Sequence, residues 1–148
     1  MMDMKQIEPG QNWLNNINEN FTKLGVQDES TTAYVLLNGV TQFSDTHTPI
    51  IKRPLLSGST EKTWHLGINI KHMPVHSDLV VAKVPEGFQE VSDPWIGIFP
   101  VGQEGHVVGA LSAYFANSPK ELHLFYDTMV ANPTDLNNTN VNLPLTWH

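Results

Sequence analysis

Histidine is the residue type in this chain with the clearest capacity for chemistry, because seven histidines occur among 148 residues. His72 and His76 stand four residues apart, and Asp78 follows two residues later. Two histidines at this spacing chelate a metal ion when both lie on one face of a helix. Pro74 separates them and a strand-like run precedes them, so helical geometry is not expected. The sequence therefore predicts exposed loop histidines and no metal site.

The sequence shows no pattern that indicates catalytic residues. The chain has no cysteine, which excludes thiolate nucleophiles, thiolate metal sites and disulfides. Glycoside cleavage needs two carboxylates at a defined separation, but the carboxylates here fall almost entirely in turns and none is marked as a pair. Nucleophile-elbow, phosphate-loop and dinucleotide-binding motifs are missing from the sequence. We therefore predict a protein without catalytic residues or cofactor.

The tryptophans offer a different kind of chemistry, because an aromatic ring stacks on the apolar face of a sugar while nearby polar groups bind its hydroxyls. Trp95 follows Asp93 and Pro94 at the start of a predicted strand. Trp95 and Asp93 are therefore candidate ligand-binding residues, with His72 and His76 as further candidates. The alternative is that Trp95 packs at the end of the core or in an interface.

The net charge of the chain argues against two classes of binding partner. The net charge is −7 with only eight Lys and Arg residues, whereas nucleic acids and anionic membranes require a basic surface. No apolar run approaches the roughly 18 residues of a membrane-spanning helix, and no signal peptide is visible at the N-terminus. We expect a protein that is made in the cytoplasm and binds neither nucleic acid nor membrane.

One stretch, residues 11–24, has the pattern of a helix. Pro9-Gly10 precedes it and Gly25 ends it in the expected position. Its apolar residues follow coiled-coil spacing and are the candidate oligomerisation residues: Leu14, Ile17, Phe21 and Leu24. A single helix of this length is marginal in water, so it must pack on its own domain or on other copies of the chain. In a trimer, one histidine of each chain could also meet its two copies at the axis.

The remainder of the chain has the pattern of β-strands. Residues 63–71 alternate strictly, which predicts Trp64, Leu66, Ile68 and Ile70 in the core and His65, Asn69 and Lys71 outside. Asn38-Gly39 is a hairpin-type turn signal, and other turn signals recur every ten to fifteen residues. The pattern predicts a mainly β protein, an antiparallel sandwich or barrel. We assign residues 1–32 to an N-terminal helix and linker for oligomerisation or attachment, and residues 33–148 to the β domain. A last short strand is expected near Val141 to Trp147.

Two segments resemble a known class of proteins. Pro9-Gly10-Gln11-Asn12-Trp13-Leu14-Asn15-Asn16-Ile17-Asn18-Glu19-Asn20-Phe21-Thr22-Lys23-Leu24 resembles the W-x(3)-I-N-x-N-F-x-x-L element of tailed-bacteriophage tail-fibre and baseplate proteins. Leu79-Val80-Val81-Ala82-Lys83-Val84-Pro85-Glu86-Gly87-Phe88 resembles the strand ending in L-P-x-G-[FY] of their β-sandwich domains, with Val84 in place of the usual Leu. A recognisable G-x-Y-type ending is missing.

The resemblance implies a jelly-roll-like β-sandwich with a short N-terminal α-helix, assembled as a homotrimer on the virion. Its implied partners are further copies of itself, other tail or baseplate proteins, and a host cell-surface saccharide. The implied function is host-cell attachment, in which several weak sites act together. Two alternatives stay open, a structural baseplate or tail adaptor with no ligand, and a small glycan hydrolase.

Overall fold

The computed structural model describes residues 28–44, 48–54, 60–89, 91–116 and 120–148. This part of the chain contains ten strands: β1 (Asp28–Thr31), β2 (Val35–Leu36), β3 (Thr41–Gln42), β4 (Ile51–Pro54), β5 (Lys62–Met73), β6 (Ser77–Lys83), β7 (Trp95–Gln103), β8 (His106–Ala116), β9 (Glu121–Asp127) and β10 (Leu136–Trp147). The chain is mainly β, as predicted. The predicted helix and its stripe of Leu14, Ile17, Phe21 and Leu24 lie outside the described residues.

The strands form two antiparallel sheets. The first sheet has the order β1-β4-β5-β10, and β3 pairs with the same edge of β5 that β4 occupies. The second sheet has the order β2-β6-β9-β8-β7. Strands β7, β8 and β9 follow one another as hairpins, and β6 lies beside β9 after a long connection to β7, which is the Greek-key arrangement. Strand β1 lies in the polar stretch that the sequence predicts as a linker.

One hydrophobic core joins the two sheets. The predicted apolar face of β5 is confirmed, because Trp64, Leu66, Ile68 and Ile70 are completely buried. Strand β9 contributes alternate residues from the second sheet, Leu122, Leu124 and Tyr126. The Trp64 ring lies 4.7 Å from Tyr34 and 6.4 Å from Trp147 between ring centroids. The large rings at this end of the core therefore pack against one another.

Strand β10 is longer than predicted. It has twelve residues and pairs with β5 along nearly its whole length. Its asparagines alternate with buried apolar residues and point outwards, so an asparagine-rich composition is compatible with a long strand. Pro144 is tolerated because β10 ends the first sheet among the described strands, where the missing N–H faces away from β5.

The Asn38-Gly39 turn has the predicted local geometry but a different role. Both residues have positive φ angles, 56° and 76°, and the Val40 N–H donates to the Leu37 carbonyl at 3.1 Å. These are the features of a type I′ turn. The strands on either side nevertheless belong to different sheets, since β2 pairs with β6 and β3 pairs with β5. The turn therefore links the two sheets and does not close a hairpin.

Candidate functional site

Three rings form a row across the outer face of the second sheet. Strand register places Trp95 of β7 opposite Tyr114 of β8, and Tyr114 opposite His123 of β9. Ring centroids are 5.5 Å apart for Trp95 and Tyr114, and 5.1 Å apart for Tyr114 and His123. Alternation puts these side chains on the face opposite the core. We call Trp95, Tyr114 and His123 the aromatic row.

Asp78 of β6 fixes the far end of the aromatic row. The Tyr114 hydroxyl donates to Asp78 Oδ1, and His123 Nδ1 lies 2.7 Å from Asp78 Oδ2. An ionised carboxylate only accepts hydrogen bonds, so Nδ1 of His123 carries a proton. Burial, and then the hydrogen bond and the negative charge of Asp78, raise the pKa of Tyr114 to about 12. The phenol therefore stays protonated and keeps donating to Asp78 at physiological pH.

The second ring nitrogen of His123, Nε2, has an unusual environment. Nε2 is buried and makes no hydrogen bond within the described part of the chain. With the proton on Nδ1, a neutral ring presents Nε2 as an acceptor. The ring packs face to face on Tyr114, with an interplanar angle of 30°. His123 thus adds a stacked ring to the row, and its buried Nε2 is not presented to the surface.

Trp95 is the exposed end of the aromatic row. Its side chain is 60% exposed, so it does not plug the end of the core. The Trp95 N–H donates to Asp93 Oδ1 at 3.0 Å, and the Pro94 carbonyl accepts from the Phe115 N–H at 2.8 Å. Asp93 therefore orients the chain at the start of β7 through a local side-chain turn. Trp95 and Asp93, which were predicted as a pair, therefore lie side by side. The Trp95 ring is exposed, whereas the Asp93 carboxylate accepts a hydrogen bond from the backbone N–H of Trp95.

His72 and His76 lie away from the aromatic row. The prediction of loop histidines is wrong for His72, which pairs with Asn137 near the end of β5, whereas His76 lies in the connection between β5 and β6. His72 Nδ1 is 2.8 Å from Asn137 Oδ1 of β10, and His76 Nδ1 is 2.7 Å from Asp127 Oδ1 at the end of β9. Each histidine thus has a partner on a different strand. Among the described residues, no group of three or more His, Asp or Glu side chains gathers as a metal site would require.

Tyr114 and His123 were not singled out as ligand candidates from the sequence, although a signal exists. Both occupy outward positions of strands with clear alternation, and the pairing of Ala116 with Glu121 puts Tyr114 opposite His123. That register could have been derived from the hairpin. The position of Trp95 beside them could not, because a bulge between Trp95 and Gly97 shifts the register of β7.

Comparison of the chain with known protein families, with curated protein sequences and with solved structures gave no match. The described part of the chain contains no helix with the length and apolar character needed to cross a membrane.

Proposed function

We propose that this chain is a non-catalytic attachment protein that binds a saccharide through the aromatic row. The observation that carries the proposal is the exposed Trp95 ring, held beside Tyr114 on a rigid sheet. An indole in this setting offers an apolar platform for a sugar ring. Asp78, which is partly exposed at the far end of the row, could accept a further hydrogen bond from a hydroxyl group of a sugar chain that extends from Trp95 along the row. Preformed geometry of this kind reduces the ordering cost of binding.

We propose further that the protein is part of the appendage of a tailed bacteriophage. Two observations support this assignment, the two sequence segments that resemble tail-fibre and baseplate proteins and the Greek-key order of the second sheet. We propose a jelly-roll-like β-sandwich preceded by a short helix, assembled as a homotrimer on the virion and contacting other tail or baseplate proteins. Several weak saccharide sites on one particle would then act together.

A second candidate function is a structural adaptor that contacts only other virion proteins. Ile98 and Val107 favour it, because they are 71% and 69% exposed in the strands that carry the row. Ile98 pairs with Ser112 on the same outer face as Trp95. An exposed apolar surface of this kind is typical of a protein interface. Within the described part of the chain, no observation favours a glycan hydrolase.

Replacing Trp95 with alanine separates these two functions. We expect the affinity for host cells to fall roughly five- to thirtyfold, since the loss of one stacking platform removes about 1–2 kcal/mol. The melting temperature should stay within about 2 °C of the wild type, because the ring is largely exposed. Binding of labelled protein to intact host cells and thermal unfolding provide the two measurements.

Ile98→Ala is the matched control, because it removes an exposed apolar side chain from the same strand. Saccharide binding predicts that this variant attaches normally. Equal loss of virion incorporation in both variants, with host-cell binding unaffected, would instead support the adaptor. A large drop in melting temperature for Trp95→Ala would contradict its exposed position.

The oligomeric state is a separate prediction from residues 11–24. We expect light scattering to give the mass of a trimer at micromolar concentration. Replacing Ile17 and Phe21 with aspartate should dissociate the trimer or make the protein insoluble, because buried carboxylates would lack partners. Aspartate at Asn15 and Asn16, outside the apolar stripe, should leave the mass unchanged. A monomer mass for the wild-type protein would contradict the prediction.

A further inference from the structure

A groove crosses the outer face of the first sheet, on the opposite side of the core from the aromatic row. Its main hollow has a volume of about 500 Å³, within the range of small-ligand sites. The residues around it come from distant parts of the chain: Phe43, Ser44, Pro49, His65, Gly67, Asn140, Val141 and Asn142. We call this hollow and its continuation the outer groove.

The floor of the outer groove is open because Gly67 has no side chain. Gly67 lies in β5 between the buried residues Leu66 and Ile68, so a side chain here would project into the groove. The Phe43 N–H donates to the Gly67 carbonyl at 3.1 Å, which places Phe43 beside the gap. A Cβ atom at Gly67 would lie 3.5 Å from Phe43 Cβ, an ordinary contact distance. The strands could therefore pack equally well with a side chain at position 67, and the open space above Gly67 is not imposed by the backbone.

The walls of the outer groove combine an apolar ring with amides. Phe43 is 60% exposed. Strand pairing places Asn142 opposite Gly67 and Asn140 opposite Asn69, and Asn69 Nδ2 donates to Asn140 Oδ1 at 2.8 Å. An amide both donates and accepts hydrogen bonds, as a sugar hydroxyl does. Among the described residues, those that line the main hollow include no Asp, Glu, Lys or Arg, and this part of the lining suits a neutral ligand.

The outer groove is anchored to the core and continues past His65. The Tyr34 hydroxyl donates to the Pro49 carbonyl at 2.8 Å, and the Tyr34 ring packs on Trp64. A second hollow of about 310 Å³ shares Pro49 and His65 with the first, and its other residues are Thr48, Ile50, Lys52 and Thr63. Two adjoining hollows that share one wall fit a linear ligand better than a compact one.

We propose that the outer groove is a second binding site, which takes a neutral linear oligosaccharide independently of the aromatic row. Phe43 supplies the stacking surface, and Asn140, Asn142 and His65 bind hydroxyl or amide groups. The net charge of −7 disfavours acidic glycans. Since the two surfaces face away from each other across the core, a short ligand cannot occupy both. Each chain would then cross-link two glycans.

Nuclear magnetic resonance of the full-length, ¹⁵N-labelled protein tests this proposal. Chitotetraose, maltotetraose and cellotetraose serve as neutral probes at millimolar concentration, and tetragalacturonate serves as the acidic comparison. We expect at least one neutral probe to shift the Gly67 backbone amide and the Asn142 side-chain amide in a saturable manner. Tetragalacturonate should leave both signals in place.

Gly67→Val is the decisive variant, because it fills the floor with a side chain that suits a strand. We expect roughly tenfold or greater weakening of the groove affinity with the melting temperature retained or raised. Phe43→Ala, which alters an exposed ring, should weaken binding in the same way. Gly97→Ala, in the second sheet, is the control and should bind as the wild type does.

The groove proposal and the aromatic-row proposal can fail separately. No shift at Gly67 with any neutral probe, full binding by Gly67→Val, or stronger binding of tetragalacturonate overturns the outer groove. Loss of groove shifts in Trp95→Ala would also overturn it, because the site is proposed to be independent. Shifts confined to the groove, with the Trp95 indole signal unmoved, would support the groove and count against the aromatic row.

Discussion

Replacing Trp64 with alanine is expected to lower the free energy of unfolding by about 3–5 kcal/mol. Trp64 is completely buried in β5, between Ile51 of β4 and Leu145 of β10 in the strand register. Tyr34 and Trp147 pack against its ring. Truncation would leave a cavity that these large rings cannot fill without moving. Urea unfolding followed by circular dichroism measures the loss.

Two further variants make the Trp64 result specific. Trp64→Phe should cost less than the alanine change, because it keeps an aromatic ring and removes Nε1, which is buried and makes no hydrogen bond to the described residues. Trp95→Ala removes the same side chain from an exposed position and should change stability little. A loss below about 1 kcal/mol for Trp64→Ala would contradict the assigned face of β5.

Gly109→Ala is expected to be the most damaging single-methyl change in the described part of the chain. A Cβ atom at Gly109 would overlap the Asp127 carbonyl oxygen and lie 2.7 Å from the Tyr126 ring. Both obstacles belong to β9, which is paired with β8, so neither can give way easily. We expect a loss of about 3 kcal/mol or more, or failure to fold. Soluble yield and urea unfolding measure this outcome.

Gly97→Ala is the matched control for Gly109→Ala. Gly97 also faces the interior, since it pairs with the buried Ala113, as Gly109 pairs with the buried Val101. A Cβ atom at Gly97 would meet the Phe99 ring at 3.5 Å, an ordinary contact. Its effect on the free energy of unfolding should stay within about 1 kcal/mol, because the added methyl makes only an ordinary contact and alanine suits a strand better than glycine does. Equal effects of the two changes would mean that the packing of β8 on β9 is not the cause.

The sequence predicted features that depend on local pattern. The alternation in residues 63–71 placed Trp64 in the core, and Asn38-Gly39 specified a turn with positive φ angles. It did not predict which strands this turn connects, since pairing depends on distant residues. It also underestimated β10, because asparagine and proline are uncommon in strands and their outward orientation follows only from pairing with β5.

In the candidate sites, too, some features follow from the local sequence and others depend on the pairing of distant strands. Trp95 was identified from its position after Pro94, yet its exposure depends on a bulge that the local sequence does not reveal. The outer groove was not predicted, because Phe43, Gly67 and Asn142 come together only when β3 and β10 pair with opposite edges of β5. An exposed phenylalanine and a glycine inside a strand are weak signals separately.

The prolines in the edge strands bear on how the protein behaves when many copies are crowded together. Among the described residues, Pro100 lies in β7 and Pro144 in β10, each at one end of its sheet, while the short strands β2 and β1 lie at the other ends. A long uninterrupted edge would offer a continuous row of backbone groups on which another chain could add, the first step towards fibrils. Each proline removes one N–H donor from that row. We therefore expect less edge-to-edge growth at these two strands when copies are crowded.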